Sequence, residues 1–300
     1  MRTDNFKKDL DLALKCFEGK KYVDAIVLYN KIQEAGGNIP YTMLAWCYEE
    51  LADYKNAFKY YLIAAEEGNV VAQYRLGGYY YNGKGCVQDC LEAEKWYKKA
   101  AEQGDMVAQN EYGCFLSQVE RKEEAVECFK KSAEQGYDEA QYNLGSSYYW
   151  GDGIEQDYSA AFLWYKKAAE QDHEDAIFSL GTCYDNGEGV KQDHNEAVKL
   201  YKKAAEEWFN EHAAYNLAIC YEEGLGVEQD FEQAVYWYSQ VADDLPEAAY
   251  NLAICYEEGR GVEKDYTEAV KWYKKAAEQG DEDAKQALED MKNAINNNNV

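Results

Sequence analysis

Proline is almost missing: Pro40 and Pro246 are the two in 300 residues. A proline inside a helix removes a hydrogen bond and clashes with the preceding turn, so this scarcity leaves nearly the whole chain open to helices. Histidine is scarce too. His173, His194 and His212 stand singly, and no His-Glu-x-x-His pair offers zinc ligands. Cys86 and Cys90 lie four apart with no histidine in register, so neither a metal nor another cofactor is expected. No run of 18 apolar residues occurs, so no membrane insertion is expected. The N-terminus, Met-Arg-Thr-Asp-Asn-Phe-Lys-Lys-Asp-Leu, lacks an apolar signal core, which points to the cytoplasm, with export by a route that needs no such signal left open. Positive charge is short as well: 31 Lys and Arg face 57 Asp and Glu, a net charge of −26. Nucleic acid, which needs clustered cations, is therefore not an expected partner.

The acidity is uneven. Residues 1–100 carry 14 basic and 14 acidic side chains, residues 101–200 carry 8 and 21, and residues 201–300 carry 9 and 22. Solubility explains such a surface; steering of a basic partner is the sharper reading.

What the chain does have is a repeat. Ala72, Ala108, Ala140, Ala176, Ala213, Ala248 and Ala284 open near-copies of one segment, spaced 36, 32, 36, 37, 35 and 36 residues apart. A period in this range marks a stacked solenoid. In the copy at 72–104, Ala72, Leu76, Tyr79 and Tyr80 share one helical face, and Gly83 and Gly85 end that helix. Asp89 with Glu92 reads as a capping box for a second helix, repeated as Asp193 with Glu196, Asp230 with Gln233 and Asp265 with Glu268. Asp157 keeps the cap, but Ala160 removes the reciprocal partner. Ala93, Trp96, Tyr97, Ala100 and Ala101 then form a strip on one face of the second helix. Each copy is a hairpin that buries its apolar faces by stacking on its neighbours. Cys47, Cys183, Cys220 and Cys255 share one repeat position, about 10 Å apart in such a stack, too far for disulfides. They read as small buried residues in a reducing compartment.

The expected organisation is a single solenoid over 1–295. Short hairpins occupy 5–38 and 39–69, and further repeats occupy 70–105, 106–137, 138–172, 173–208, 209–246 and 247–281. A capping helix spans 282–295, and 296–300 form a disordered tail.

The string at Ala140, Leu144, Gly145, Tyr148, Gly151, Gly153, Asp157, Ala161, Trp164, Tyr165, Ala168 and Ala169 resembles the Sel-1-like repeat, a relative of the tetratricopeptide repeat. The copies from Ala72, Ala213 and Ala248 match nearly as well, and the short hairpins look like plain tetratricopeptide units. The resemblance implies an all-α, right-handed α-solenoid that works as a non-enzymatic adaptor, binding a protein or peptide along its concave face. One cysteine-rich branch of the family is secreted, carries a disulfide in each repeat and is linked to penicillin binding. The second-helix alanines Ala100, Ala101, Ala168 and Ala169 stand here instead of cysteines, which argues against a cell-wall ligand binder or weak β-lactam hydrolase. A purely structural spacer is the third reading.

In the related units the first helix lines the groove, and an Asn two residues before the Gly pairs with a peptide backbone. The matching positions are taken as Asn143, Asn216 and Asn251, with Arg75, Asn110 and Ser179 in other copies. Tyr74, Tyr142, Tyr215, Tyr250 and Phe178 precede them, offering aromatic contact. Packing within the stack is the competing role for both sets. Asp185, Glu222, Glu223, Glu257 and Glu258 form an acidic stripe that would either be solvated or cradle Lys and Arg side chains of a basic partner. Trp208 and Phe209 break the pattern, Trp208 standing where Gly104 stands, and Trp150 precedes Gly151; these are candidate aromatic contacts. The Gly-x-Gly runs sit at hairpin turns rather than in a strand–turn–helix nucleotide loop. The spacing of Asp-Asn-Gly-Glu-Gly at 185–189 does not fit a calcium loop.

Overall fold

The computed structural model describes residues 2–297, with side chains described over 6–291. Among them are seventeen helices and no strand. Sixteen helices pair into eight hairpins: α1 (Arg2–Glu18) with α2 (Tyr22–Glu34), α3 (Tyr41–Glu50) with α4 (Tyr54–Glu66), α5 (Val70–Asn82) with α6 (Cys90–Ala101), and α7 (Met106–Gln118) with α8 (Lys122–Glu134). The others are α9 (Asp138–Trp150) with α10 (Tyr158–Ala169), α11 (Glu174–Asn186) with α12 (His194–Trp208), α13 (Glu211–Glu223) with α14 (Phe231–Val241), and α15 (Pro246–Glu258) with α16 (Tyr266–Glu278). A last helix, α17 (Glu282–Asn297), closes the chain. It takes in the first two residues of the expected tail; residues 298–300 lie outside the described residues. Both prolines stand at helix starts, Pro40 as the N-cap of α3 and Pro246 in the first turn of α15, where a missing N–H costs nothing.

The chain forms an all-α solenoid of helical hairpins, in two compact units. The first comprises residues 1–144 and 152–154, the second residues 145–151 and 155–300. Unit 1 is built around Tyr29, Leu44, Tyr61 and Leu76, and unit 2 around Tyr201, Leu217, Tyr238 and Leu252, all 0–1% exposed. Alanines at the helix crossings bring the backbones close enough for these large side chains to interdigitate.

The Gly-x-Gly turn has two separate jobs. Its first glycine, as Gly83, Gly187, Gly224 and Gly259 show, ends the first helix in the left-handed conformation. The second packs hairpin on hairpin. A Cβ on Gly85, Gly189 or Gly261 would fall 2.0–2.1 Å from the carbonyl oxygen of Tyr54, Tyr158 or Phe231, at the start of the preceding hairpin's second helix. Gly153 meets Lys122 and Gly226 meets His194 in the same way. The three short hairpins turn instead through Lys20, Ala52 and Glu120, non-glycine residues at φ 56–61°.

The capping boxes are half-formed. Asp89, Asp157, Asp193, Asp230 and Asp265 each accept two backbone N–H groups of the helix they begin. Their own N–H groups, however, donate across the hairpin to the carbonyls of Tyr80, Tyr148, Tyr184, Tyr221 and Tyr256. No donor is left for the reciprocal acid, so Glu92, Glu196 and Glu268 pair with Lys95, Lys199 and Lys271. This also explains why Asp157 caps as well as the rest with Ala160 beside it.

All nine cysteines are free thiols. Burial pushes the Cys47 thiol up to about 11 and those of Cys183, Cys220 and Cys255 up to about 12, so they are neutral packing groups.

Candidate interaction surface

The first helix of each hairpin positions the expected contact residues. Counted three residues on from the opening alanine, the register position holds Arg75, Glu111, Asn143, Ser179, Asn216 and Asn251. Asn110 was expected here, but it lies one residue off register, where other copies carry Tyr or Phe. It is 1% exposed, its Nδ2 donates toward Cys114 Sγ at 3.8 Å, and its Oδ1 accepts from Asn143 Nδ2 at 3.0 Å. The register residue of that repeat is Glu111, which the motif's preference for an amide concealed; counting from Ala108 finds it.

The other amides also have partners inside the stack. Asn251 Nδ2 lies 3.4 Å from Tyr215 Oη and 3.3 Å from Tyr238 Oη, and Asn216 stands near the Tyr201 hydroxyl. Tyr215 and Tyr250 are half-buried, with their rings against Tyr238 at 5.9 Å and Tyr273 at 5.6 Å. Tyr74 and Tyr142 are half-buried as well.

Most of the acidic stripe faces internal donors. Tyr201 Oη reaches Asp185 at 3.2 Å, and Tyr238 and Tyr273 reach Glu222 and Glu257 at 2.7 Å, always sixteen residues on in the same hairpin. Asp185 also holds His194 Nδ1 at 2.7 Å. Glu222 and Glu258 do cradle a guanidinium, but it is the chain's own Arg260, 3.1 Å from Glu222 and in direct contact with Glu258. Glu223 is exposed.

Trp150 is 71% exposed, with its ring edge on Tyr149. Phe209 is 83% exposed and is itself the left-handed cap of α12, at φ 57°. Counted back from the next N-cap, Phe209 rather than Trp208 takes the place of Gly104. Trp208 is half-buried, with Lys203 Nζ 5.4 Å from its ring centre.

In unit 1 the same register opens into a cavity of about 430 Å³. Its walls include Tyr74, Arg75, Tyr79, Tyr97, Glu111 and Tyr137. Glu49, also on the wall, accepts from Tyr61 Oη at 2.7 Å and lies 3.9 Å from Arg75 Nη1. The Arg75 guanidinium lies over the Trp46 ring, 5.8 Å from its centre. Burial pushes the Glu111 carboxyl above the usual range, and Arg75 offsets this only in part.

No group of His, Cys, Asp and Glu able to hold a metal occurs among the described residues, and no helix there is long and apolar enough to cross a membrane.

The Sel1 repeat model matches residues 41–69, 70–105, 107–137, 138–173, 174–207, 211–244 and 246–281. Among solved structures, the chain is similar to a protective antigen of uropathogenic Escherichia coli strains with an SLR fold. That match has 34% identity and a TM-score of 0.80, covering 88% of this chain and 58% of that one. It is also similar to a Sel1 repeat protein of Oxalobacter formigenes, with 30% identity and a TM-score of 0.75, covering 95% and 87%. The chain thus spans somewhat over half the length of the first of these. No curated protein matches it. Sel1 and tetratricopeptide-like repeats are generally protein-interaction scaffolds and typically non-catalytic. Seven matched repeats, together with these two structures, place the chain in the Sel1 repeat family.

Proposed function

We propose that this chain is a non-enzymatic scaffold that holds a protein or peptide segment against its first-helix faces. The observation that carries the reading is the cavity at the first-helix register of unit 1, where charged and aromatic side chains converge on open space. In unit 2 the equivalent amides and carboxylates are largely engaged within the stack, which leaves exposed Trp150 and Phe209 as the contact candidates there. Tyr74, Arg75 and Tyr137 are the first contact residues in this reading, with Tyr142 a further one in unit 1. The free thiols suit a cytoplasmic setting.

Affinity capture from the native host tests the proposal, comparing the wild-type chain with a Tyr74→Ala, Arg75→Ala, Tyr137→Ala variant that keeps its helical circular dichroism. The expected result is a reproducible set of proteins retained by the wild type and lost from the variant. An identical set on both, or none on either, would sink it.

A further inference from the structure

Four first-helix carboxylates, at one shared register position, have one arrangement. Glu49, Asp185, Glu222 and Glu257 each accept a hydrogen bond from a tyrosine hydroxyl of their own hairpin. Glu111 faces the unit-1 cavity with neither a hydrogen bond nor an ion pair among the described residues. A half-buried carboxylate whose charge is only partly offset, here by Arg75 without a direct ion pair, is costly to keep ionised, and a ligand cation removes that cost.

A second, independent observation points to the same space. Tyr79, which lines the cavity, is 3% exposed, and its buried hydroxyl makes no hydrogen bond of good geometry, with the Glu49 carboxylate as its electrostatic neighbour. A phenol oxygen accepts from an ammonium or guanidinium N–H. Tyr74, Tyr97 and Tyr137 add rings to the wall, and ring faces attract cations. The two cations already on the wall have other partners: Arg75 is shared between Glu49, the Trp46 ring and, without direct contact, Glu111, and Lys84 lies over the Tyr54 ring at 5.2 Å. A ligand carboxylate would meet Glu49 and Glu111. The chain also offers its own precedent, since Arg260 lies between first-helix carboxylates in unit 2.

We propose that the unit-1 cavity receives a lysine or arginine side chain of a bound polypeptide, with Glu111 as its counter-charge, the Tyr79 hydroxyl as acceptor and the tyrosine rings as walls. The proposal rests on the scaffold reading and names what one of its sites takes. The acidic cradle legible in the sequence of unit 2 is filled internally; the open one is here.

The test uses the full chain and three probes: acetyl-Gly-Gly-Lys-Gly-Gly-amide and its norleucine and glutamate counterparts. Each is titrated while the tyrosine ring resonances are followed by NMR. The lysine peptide is expected to give saturable shifts and the other two none. Glu111→Gln should weaken the lysine peptide at least tenfold, and Tyr79→Phe severalfold. The wild-type comparison of lysine with norleucine decides the matter even if a variant fails to fold. An equal response to norleucine, a stronger one to glutamate, no response to lysine, or unchanged affinity in Glu111→Gln would overturn the assignment. Capture of proteins by the wild type without lysine-peptide binding overturns this site and leaves the scaffold standing. Loss of both overturns both.

Discussion

At the scale of single residues, the tyrosine hydroxyls decide how the acidic first helices pack. Tyr238 is fully buried and donates to Glu222, while Tyr236 on the same helix is 50% exposed. Hydrogen bonds to charged groups are worth more than neutral ones, so Tyr238→Phe should cost about 2 kcal/mol in urea unfolding. Tyr236→Phe should cost under about 0.5 kcal/mol, as surface changes do. The cysteines give a second residue-level expectation. Cys90 is exposed, whereas Cys47, Cys183, Cys220 and Cys255 are buried with raised pKa values. An aromatic disulfide reagent at neutral pH should modify Cys90 quickly and leave those four untouched until the chain unfolds, because the thiolate is the nucleophile. Reaction of all nine in the folded protein would contradict the packing described. The buried cysteines were legible because they repeat. The partners of Asn143 and Asn251 were not, since a residue type that suits a peptide amide suits a neighbouring tyrosine or asparagine equally well.

At the scale of the element, the Gly-x-Gly turn joins local conformation to packing. Its helix-ending role follows from glycine's access to positive φ. Its stacking role depends on which backbone lies above it, and nothing local encodes that. Gly226 and Gly104 separate the two contributions. Both have positive φ, 69° and 84°, but a Cβ on Gly226 would lie 2.3 Å from the His194 backbone, and one on Gly104 would meet nothing within 4 Å. Gly104→Ala should therefore cost about 1 kcal/mol, for backbone conformation alone. Gly226→Ala adds a clash with a carbonyl that cannot move without shifting α12, and should cost about 3 kcal/mol or more. Equal losses in thermal unfolding would mean that the loop does not bear on the preceding hairpin. The capping aspartates show the same limit of legibility. Their side-chain role could be read from spacing, but the destination of their own N–H depended on the hairpin's closure, seen in the bond from Asp193 N to Tyr184 O at 2.9 Å.

At the scale of the whole molecule, repetition multiplies each of these groups, and the pH dependence of stability is where the sum becomes visible. The thiols of half-buried Cys114 and of buried Cys183, Cys220 and Cys255 are pushed up to about 12, and that of buried Cys47 to about 11, by desolvation first. Burial likewise raises the hydroxyls of Tyr61, Tyr201, Tyr238 and Tyr273, and the carboxylates they donate to raise them further. For each group the folded state holds its proton to a higher pH than the unfolded chain does. As pH climbs past the unfolded values, about 9 for the thiols and about 10 for the phenols, the unfolded state ionises first and becomes relatively more favourable. The stabilisation is thus fully present below about pH 9 and is lost as pH rises through the folded values. Growing repulsion on a chain already at −26 acts in the same direction. The unfolding temperature should be level from pH 7 to about 8.5 and fall steadily between about pH 9 and 12. Tyr238→Phe should flatten part of that fall, because a phenylalanine has no proton to lose. A wild-type profile that stays level to pH 11 would mean that these side chains are not held neutral in the stack.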